Sequence, residues 1–289
     1  MVTFKYAAPT TLEEAFALLS GAAGDVAPLA GGTDLINNIR AGSQSPKLVL
    51  LLRKIRGLTG AIQEKPAGVV IGAMATLSEI AQHARLRRSF PAIAEAASLI
   101  GSKQIRNRAT MAGNLCNASP AADTVPALML YEASVNIAGR KGRRLVPVTA
   151  FVRSPNQTCL AAGEIVESIF IPYPAAPSSS CYVRFARREG ADLAIVGVAA
   201  FASATTEIRL ALGAVGPTAF RAYEAENIWR QGVQDRAVWE RGLASAVEAS
   251  APISDLRASR EYRRALIKVL AAEAVRRSLN RIGTRGGQW

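Results

Sequence analysis

The stretch Ile105–Asp123 reads IRNRATMAGNLCNASPAAD, and the fold of the chain turns on how it is read. Ile105–Arg108 predicts a short basic strand that runs into a turn of small residues, Thr110-Met111-Ala112-Gly113-Asn114. A segment rich in hydroxyls and amides follows and ends at Asp123. Small residues let a backbone approach a ligand closely, because little or no Cβ stands in the way. Backbone N–H groups in such a turn cradle anions such as phosphates. A carboxylate nine residues beyond Asn114 is placed to accept hydrogen bonds from a ribose, as acidic groups do in dinucleotide sites. The pattern therefore points to a dinucleotide site in a fold other than the Rossmann fold. An ordinary glycine-containing β-turn satisfies the same spacing, and spacing alone leaves both readings open.

Working outward, a second glycine turn stands upstream. Val26–Ala30 reads as a buried strand, Gly31-Gly32 breaks it, and a helix is expected from Asp34 to Arg40. AGGTDL (Ala30–Leu35) is thus a strand, glycine turn and helix start, a geometry that offers backbone donors and a positive helix end to a pyrophosphate. The Asp34 carboxylate would repel a diphosphate, so its side chain and that of Thr33 read better as N-cap or first-turn groups.

The rest of the chain supplies strands and helices in segregated blocks. Val2–Ala7 alternates like a strand; a helix follows from Pro9-Thr10-Thr11 with Leu12, Ala15, Phe16 and Leu19 on one face, ending at Gly21–Gly24. Lys47–Leu52 and Gly68–Ala75 read as buried strands separated by an Arg53–Gly60 linker. Thr76-Leu77-Ser78-Glu79 resembles a capping box opening a helix that carries His83, the only histidine. A helix over Ser89–Ile100 leads into the central stretch, and Thr124–Glu132 makes another after it. Ser134–Ala138 and Leu145–Val148 are expected to pair around a basic turn at Gly139–Arg144, and Glu164–Pro172 is a strand. Ala175–Ser180 (AAPSSS) has the composition of a linker. Beyond it, Tyr182–Arg187, Ala194–Ser203 and Glu207–Ala214 suggest an antiparallel meander, with Arg187–Asp192 between the first two strands. Helices over Tyr223–Gln231, Arg236–Ala249 and Glu261–Asn280 close the chain. The last has Tyr262, Ala265, Leu266, Val269 and Leu279 on its apolar stripe, interrupted by Glu273. The fold class is α+β.

Composition narrows the function. With 289 residues, 49% hydrophobic and 20% charged, the chain has the makings of a sizeable core. No run of ~18 apolar residues is free of charge, so no transmembrane helix is expected. The N-terminus lacks a signal pattern, so a cytoplasmic protein is expected. Cys116, Cys159 and Cys181 match no metal or iron–sulfur spacing, so no metal is expected in this chain. The net charge of +13 raises the question of nucleic acid, since Ile253–Trp289 alone carries nine Arg or Lys and three acids. No recognition-helix, zinc-finger or RNA-binding aromatic motif accompanies it, and a basic helical face serves equally against an acidic protein or an anionic cofactor.

Six motifs in order carry a resemblance: AGGTDL, IGAMATLSEI, QIRNRATMAGNLCNASPAAD, EIVESIFIP, FARREGADLAIV and ALGAVGPTAFRA. Together they resemble the FAD-binding medium subunit of molybdenum hydroxylases, the carbon monoxide dehydrogenase and xanthine dehydrogenase family. The resemblance covers nearly the whole chain. It implies a two-part p-cresol methylhydroxylase-type FAD-binding domain over residues 1–176, with subdomains of about 1–55 and 56–176. A C-terminal domain over 177–289, a small antiparallel sheet plus a helical bundle, would follow. It further implies that the FAD pyrophosphate is held by two loops, Pro28, Leu29, Ala30, Gly31, Gly32, Thr33, Asp34 and Leu35 in the first, Thr110, Met111, Ala112, Gly113 and Asn114 in the second. Asp123 falls at the family's ribose- or adenosine-side carboxylate, and Ile100 near the flavin. Val166 falls at an apolar contact and Arg184 where a lysine is frequent. Asp192 and Leu193 match the segment approaching the isoalloxazine ring. TMAGN departs from a T-x-G-G-N pattern at Ala112, a change that would be costly if that position required φ > 0.

The resemblance also implies partners: a small subunit with two [2Fe–2S] clusters and a large subunit with the molybdenum cofactor, as a dimer of heterotrimers. FAD would pass their electrons to an external acceptor, and the redox chemistry would belong to the cofactor, so no catalytic acid or base is nominated. A self-sufficient flavin oxidase or reductase of the same fold and a basic nucleotide- or nucleic-acid-binding protein are the alternatives. Flavin reduction only through partner subunits separates the first, steep salt-dependent nucleic-acid binding without flavin the second.

Overall fold

The structure of the protein is a computed structural model that describes residues 3–20, 25–188 and 190–283. Expectations that fall on Val2, on the Gly21–Gly24 break, on Glu189 or on residues 284–289 lie outside these.

The N-terminal portion is a three-stranded parallel sheet in the order Lys5–Ala7, Leu48–Leu51, Val26–Leu29. Parallel pairing demands crossovers, and the helices Leu12–Leu19 and Leu35–Arg40 fall in them. Thr11 caps the first of these, its hydroxyl accepting the Glu14 N–H at 3.2 Å, and Ala15, Phe16 and Leu19 turn inward as their spacing predicts. Arg53–Gly60 is no free linker. Ile55 and Leu58 are buried there, and Arg56 N–H donates to the Thr10 carbonyl at 2.8 Å, so the segment clamps this sheet onto the next.

The next layer is a five-stranded antiparallel sheet ordered Ile62–Lys65, Gly68–Gly72, Ile165–Pro172, Ser134–Gly139, Gly142–Pro147. Its first strand, IQEK, has one half-buried residue among exposed ones; with no apolar alternation, nothing in the sequence marked it. The basic hairpin turns tightly at Gly139–Gly142, which puts Arg143 and Arg144 in the returning strand rather than in the turn. The predicted Ser89–Ile100 helix is in fact Pro91–Leu99, preceded by a separate helix Ala84–Ser89. Pro91 sits at the N-terminus of the second, where its missing N–H is harmless, and forces the break at Phe90. Thr76 makes the full capping box with Glu79: its hydroxyl accepts Glu79 N–H at 3.3 Å, and its own N–H donates to the Glu79 carboxylate at 2.7 Å. Thr76→Ala is expected to lower stability by about 1 kcal/mol in chemical denaturation, because the Glu79 N–H loses its acceptor at the helix start.

The C-terminal portion is a four-stranded antiparallel sheet, Ser178–Phe185, Val196–Ser203, Ile208–Gly213 and Phe220–Arg221 in sequence order, packed on the helices Tyr223–Trp229, Arg236–Glu248 and Arg260–Gly283. All eight residues of Val196–Ser203 are buried. Val196, Val198 and Ala200 meet the helices, while Ala199 and Phe201 join the core of the preceding layers, so the sheet is covered on both faces. That explains why the AAPSSS linker fails as an expectation. Ser178–Ser180 already belong to the edge strand, and the Ser180 hydroxyl accepts Ala92 N–H at 2.9 Å and the Tyr131 hydroxyl at 2.6 Å across the junction.

The stripe expected on the last helix is right only in part: Leu266 and Leu279 pack against the C-terminal core. Tyr262, Ala265 and Val269 are exposed, whereas Arg263, Ile267, Ala271, Ala274, Val275 and Ser278 face inward. The physical reason is Arg263, a buried cation that donates to the carbonyls of Ile195 and Ala214 and to Asp255 (2.9 Å). Hydropathy periodicity cannot place an arginine in a core. Partial burial works to raise the Asp255 pKa, but hydrogen bonds from Arg257, from the Ala258 N–H and from Arg263 outweigh it and hold the carboxyl far below its ordinary range. A carboxyl with a depressed folded-state pKa stabilises above its unfolded value of ~3.9 and loses that contribution as pH falls. Asp255→Asn is accordingly expected to flatten the loss of stability below about pH 4, measured by denaturant midpoint against pH.

Candidate functional site: a cleft between two glycine loops

The strand Val26–Leu29 delivers the first loop. Gly31 lies so close to the second loop that a Cβ there would strike the Arg108 carbonyl oxygen and come within 2.8 Å of Ala109 Cα. Gly32 has φ +80°, which glycine alone adopts without strain. Among the described residues, no protein acceptor takes the backbone N–H groups of Gly31, Gly32, Thr33 or Asp34. Asp34 occupies the N-cap position of Leu35–Arg40 but makes no side-chain capping bond. Its side chain stands at the cleft mouth, open to solvent yet screened enough by the walls that burial raises its carboxyl pKa.

The second loop differs from its expected form. Ile105–Arg108 is not a strand: Lys103–Arg106 is a helical turn capped by Ser102. Thr110–Asn114 is likewise not a free turn. Thr110 is the N-cap of a helix Met111–Cys116, its hydroxyl accepting Gly113 N–H at 3.0 Å. Small residues here let the helix start pack closely: a Cβ on Gly113 would lie 2.9 Å from Thr110 Oγ1 and 4.0 Å from Ala30 Cβ in the other loop. Ala112 sits within that helix and is not among the positive-φ residues, so the departure from T-x-G-G-N carries no backbone penalty. Leu77 N–H donates to the Ala109 carbonyl at 2.9 Å and fixes the loop from behind.

Between the loops runs a cleft of about 820 Å³. Its wall includes Pro28, Ala30, Gly31, Gly32, Thr33, Asp34, Leu35, Ile100, Thr110, Ala112, Gly113, Asn114, Asp123, Val166, Arg184, Asp192 and Leu193. Two of the expected residues are absent from it. Met111 is fully buried in the core, and the Leu29 side chain packs beneath Gly32. The wall also holds groups the sequence did not single out, among them Asn37, Asn38, Gln44, Ser45, Asn117, Ser119 and Glu164. The amide run after Asp34, one helical turn on, was the available signal for the first pair.

Each wall residue is positioned by the fold. Ile100 ends the helix Pro91–Leu99, and Arg106 donates to the carbonyls of Ile100 (3.0 Å) and Gly101 (2.9 Å). Val166 sits at a register shift in its strand, opposite Ile137. Asp123 has partners the sequence did not reveal: Tyr182 Oη donates to one oxygen at 2.6 Å and Arg184 to the other at 2.9 Å. Burial pushes the Asp123 carboxyl up, and the guanidinium and phenol act against it. Asp192 Oδ2 is buried on the wall without a hydrogen-bond partner. The Cys116 thiol is pushed up to about 12 by burial, with Cys159 nearby adding to the shift, so it stands as an inert thiol rather than a thiolate. Among the described residues, no group of three or more His, Cys, Asp or Glu is placed to hold a metal ion, and no helix is long and apolar enough to cross a membrane.

This geometry has close counterparts. Residues 2–174 match the family described as FAD binding domain in molybdopterin dehydrogenase, and residues 181–278 match CO dehydrogenase flavoprotein C-terminal domain. The chain belongs to the FAD-binding subunits of the molybdopterin dehydrogenases. It is 32% identical to the carbon monoxide dehydrogenase medium chain of Hydrogenophaga pseudoflava over 96% of each chain. It is 29% identical to the xanthine dehydrogenase FAD-binding subunit of Escherichia coli O157:H7 over 86% of each. A solved structure of the Hydrogenophaga pseudoflava carbon monoxide dehydrogenase superposes with a TM-score of 0.91 at 30% identity, covering 96% of this chain and 98% of that one. The α+β architecture, the FAD cofactor and the role of an oxidoreductase subunit follow from that membership.

The residues present fit FAD. Four N–H groups at Gly31–Asp34 without a protein acceptor suit a pyrophosphate, and the missing Cβ of Gly31 keeps the two loops together; Asp192 Oδ2, ion-paired with Arg188 at 3.8 Å but without a hydrogen bond, retains lone pairs for a donor on the ligand. The cleft volume lies within the ~300–1,000 Å³ usual for cofactor sites.

Proposed function

We propose that this chain is the FAD-bearing electron-transfer subunit of a molybdenum-containing hydroxylase or dehydrogenase. The small partner would carry [2Fe–2S] clusters and the large one the molybdenum cofactor, the whole forming a dimer of heterotrimers. Residues 1–176, with parts of about 1–55 and 56–176, form the FAD-binding unit in this reading, and residues 177–289 the C-terminal one. FAD, when bound, supplies the redox chemistry, accepting electrons from the clusters and releasing them to an external acceptor.

The observation that carries the reading is the pair of loops clasped at Gly31, where residues whose backbone N–H groups take no protein acceptor line a long cleft. The chain's residues bind and orient. Gly31–Asp34 and Thr110–Asn114 would hold the pyrophosphate; Arg184, held by Asp123, lends a fixed positive charge to the wall. Asp192 and Leu193 would border the ring; desolvation works to raise the Asp192 carboxyl, but the Leu193 N–H and the charges of Arg188 and Arg187 prevail and lower its pKa.

The test is the visible spectrum of the complex co-produced with its small and large subunits, followed by flavin release. Flavin bands near ~370 and ~450 nm, released FAD, and bleaching when substrate is supplied to the large subunit are expected. A colourless complex sinks the reading, and flavin that is reduced directly by substrate in the lone chain would favour a self-sufficient enzyme.

A further inference from the structure

A second cavity, of about 550 Å³, shares no lining residue with the cofactor cleft. It lies where the helices Ala84–Ser89 and Pro91–Leu99 meet the strand Ser178–Phe185 and the end of Arg260–Gly283. Among the described residues that line it, Arg87, Glu95, Ser98, Ser179 and Arg281 are polar, and Pro91 and Ala94 are apolar. The charged groups are not equivalent. Glu95 has both oxygens taken, one by the Arg281 guanidinium at 2.6 Å and the other by the Tyr182 N–H at 2.8 Å. Arg281 donates to the Ser180 carbonyl as well, which fixes this ion pair on the wall. Arg87 stands apart: its guanidinium meets no acceptor among the described residues, so the cavity keeps one uncompensated positive charge. Ser98 spends its hydroxyl proton on the Glu95 carbonyl at 2.7 Å. Ser179 does not spend its own. The residue is 2% exposed, and its buried hydroxyl has no hydrogen-bond partner. Buried hydroxyls are normally satisfied, as that of the adjacent Ser180 is twice over.

We propose that this second cavity binds a small organic carboxylate, independently of the flavin. The unpaired Arg87 guanidinium would take the carboxylate as a two-point fork, and the Ser179 hydroxyl would supply a further donor. Pro91 and Ala94 would cover the carbon skeleton. Charge balance selects the class. With Glu95 cancelled by Arg281, a monoanion neutralises Arg87, whereas a phosphate dianion would bring excess negative charge beside the Glu95 carboxylate. The volume lies within the ~300–1,000 Å³ usual for small-molecule sites, which suits an organic acid. Because the two cavities share no lining residue, the inference stands apart from the function proposed above.

Calorimetric titration of the complex co-produced with its small and large subunits, with benzoate as the probe, provides the test. Benzoate is expected to bind with a Kd of about 1 mM or tighter and to leave the flavin spectrum unchanged. Arg87→Ala should weaken that binding at least ~10-fold, because a charge-assisted pair is lost. Arg88→Ala, which removes an exposed arginine one residue on that does not line the cavity, should leave it unchanged. Ser179→Ala should weaken it about 3- to 10-fold, yet leave the thermal midpoint of the ligand-free protein where it was, since no protein partner is lost. Inorganic phosphate should bind more weakly than benzoate. Absence of any binding heat that depends on Arg87 overturns the proposal. Equal weakening by Arg87→Ala and Arg88→Ala overturns it too, as does phosphate binding more tightly than benzoate. A complex without flavin would defeat the functional reading instead, and the titration can still be read on it.

Discussion

Gly31→Val is expected to abolish FAD retention. The smallest side chain at this position already drives its Cβ into the Arg108 carbonyl and to 2.8 Å from Ala109 Cα, both backbone atoms. That backbone cannot yield, because Ala109 N–H donates to Ile105 O at 2.8 Å and Ala109 O accepts from Leu77. Relief must come from parting the two loops, which opens the cradle for the pyrophosphate. Overpacking of this kind costs ~1–3 kcal/mol for a methyl or two. Gly31→Ala should therefore weaken FAD binding by about 10- to 100-fold. Valine, which is larger and β-branched, should leave apoprotein. Flavin content per chain after gel filtration and FAD titration of the apoprotein measure both. Ala112→Gly is the matched comparison. It restores the glycine of the family pattern at a helical position, and it should keep FAD while lowering stability by roughly 0.5–1 kcal/mol. Equal retention by Gly31→Val and Ala112→Gly would show that the clasp does not hold the cofactor.

Asp123→Ala is expected to be the most destabilising change on the cleft wall. Arg184 and Asp123 have side-chain exposures of 8% and 7%, and they tie the strand Ser178–Phe185 to the helix Thr124–Leu130. The pair as a whole is no large source of stability, since burial raises the Asp123 pKa even with Arg184 beside it. Removing one partner is another matter: the guanidinium is left buried and uncompensated, at about 3–5 kcal/mol. Tyr182 also loses its acceptor. Urea midpoints should fall accordingly, and FAD content with them, because Arg184 lines the cleft. Asp123→Ala with Arg184→Met should recover most of the stability, as replacing both charges by apolar groups of similar size strands neither. A double variant as unstable as the single one would mean that Asp123 acts through Tyr182 instead.

Much of this architecture was legible because its determinants are local. Thr11 with Glu14, and Thr76 with Glu79, announce helix starts through groups three residues apart, and both caps form. The run Val196–Ser203 reads as a buried strand because all its side chains are apolar or small. The cleft residues were found through motifs, and most of them converge on one wall although Asp34, Asp123 and Leu193 are far apart in the chain. The errors have one origin. IRNR reads as a basic strand-like entry, yet Ser102 caps a turn of helix there. AAPSSS looked like a linker because its composition is polar, yet Ser180 is buried and its hydroxyl accepts hydrogen bonds from two other elements. On Arg260–Gly283 the inner face runs through the buried Arg263, Ile267, Ala271 and Ala274, which leaves Tyr262 and Val269 of the expected stripe in solvent.

By itself, then, the sequence determined the helix caps, the strands, the two glycine loops and the cofactor class, all of which depend on residues within a few positions of one another or on motifs in order. Only the tertiary structure decided that Gly31 clasps Arg108, that Asp123 is spoken for by Arg184 and Tyr182, and that Arg263 lies in the core while Leu256 lies in water. The reason is physical. Whether a polar group faces solvent depends on whether a distant carbonyl or carboxylate replaces its lost hydration, and that partner is fixed by the packing of whole elements.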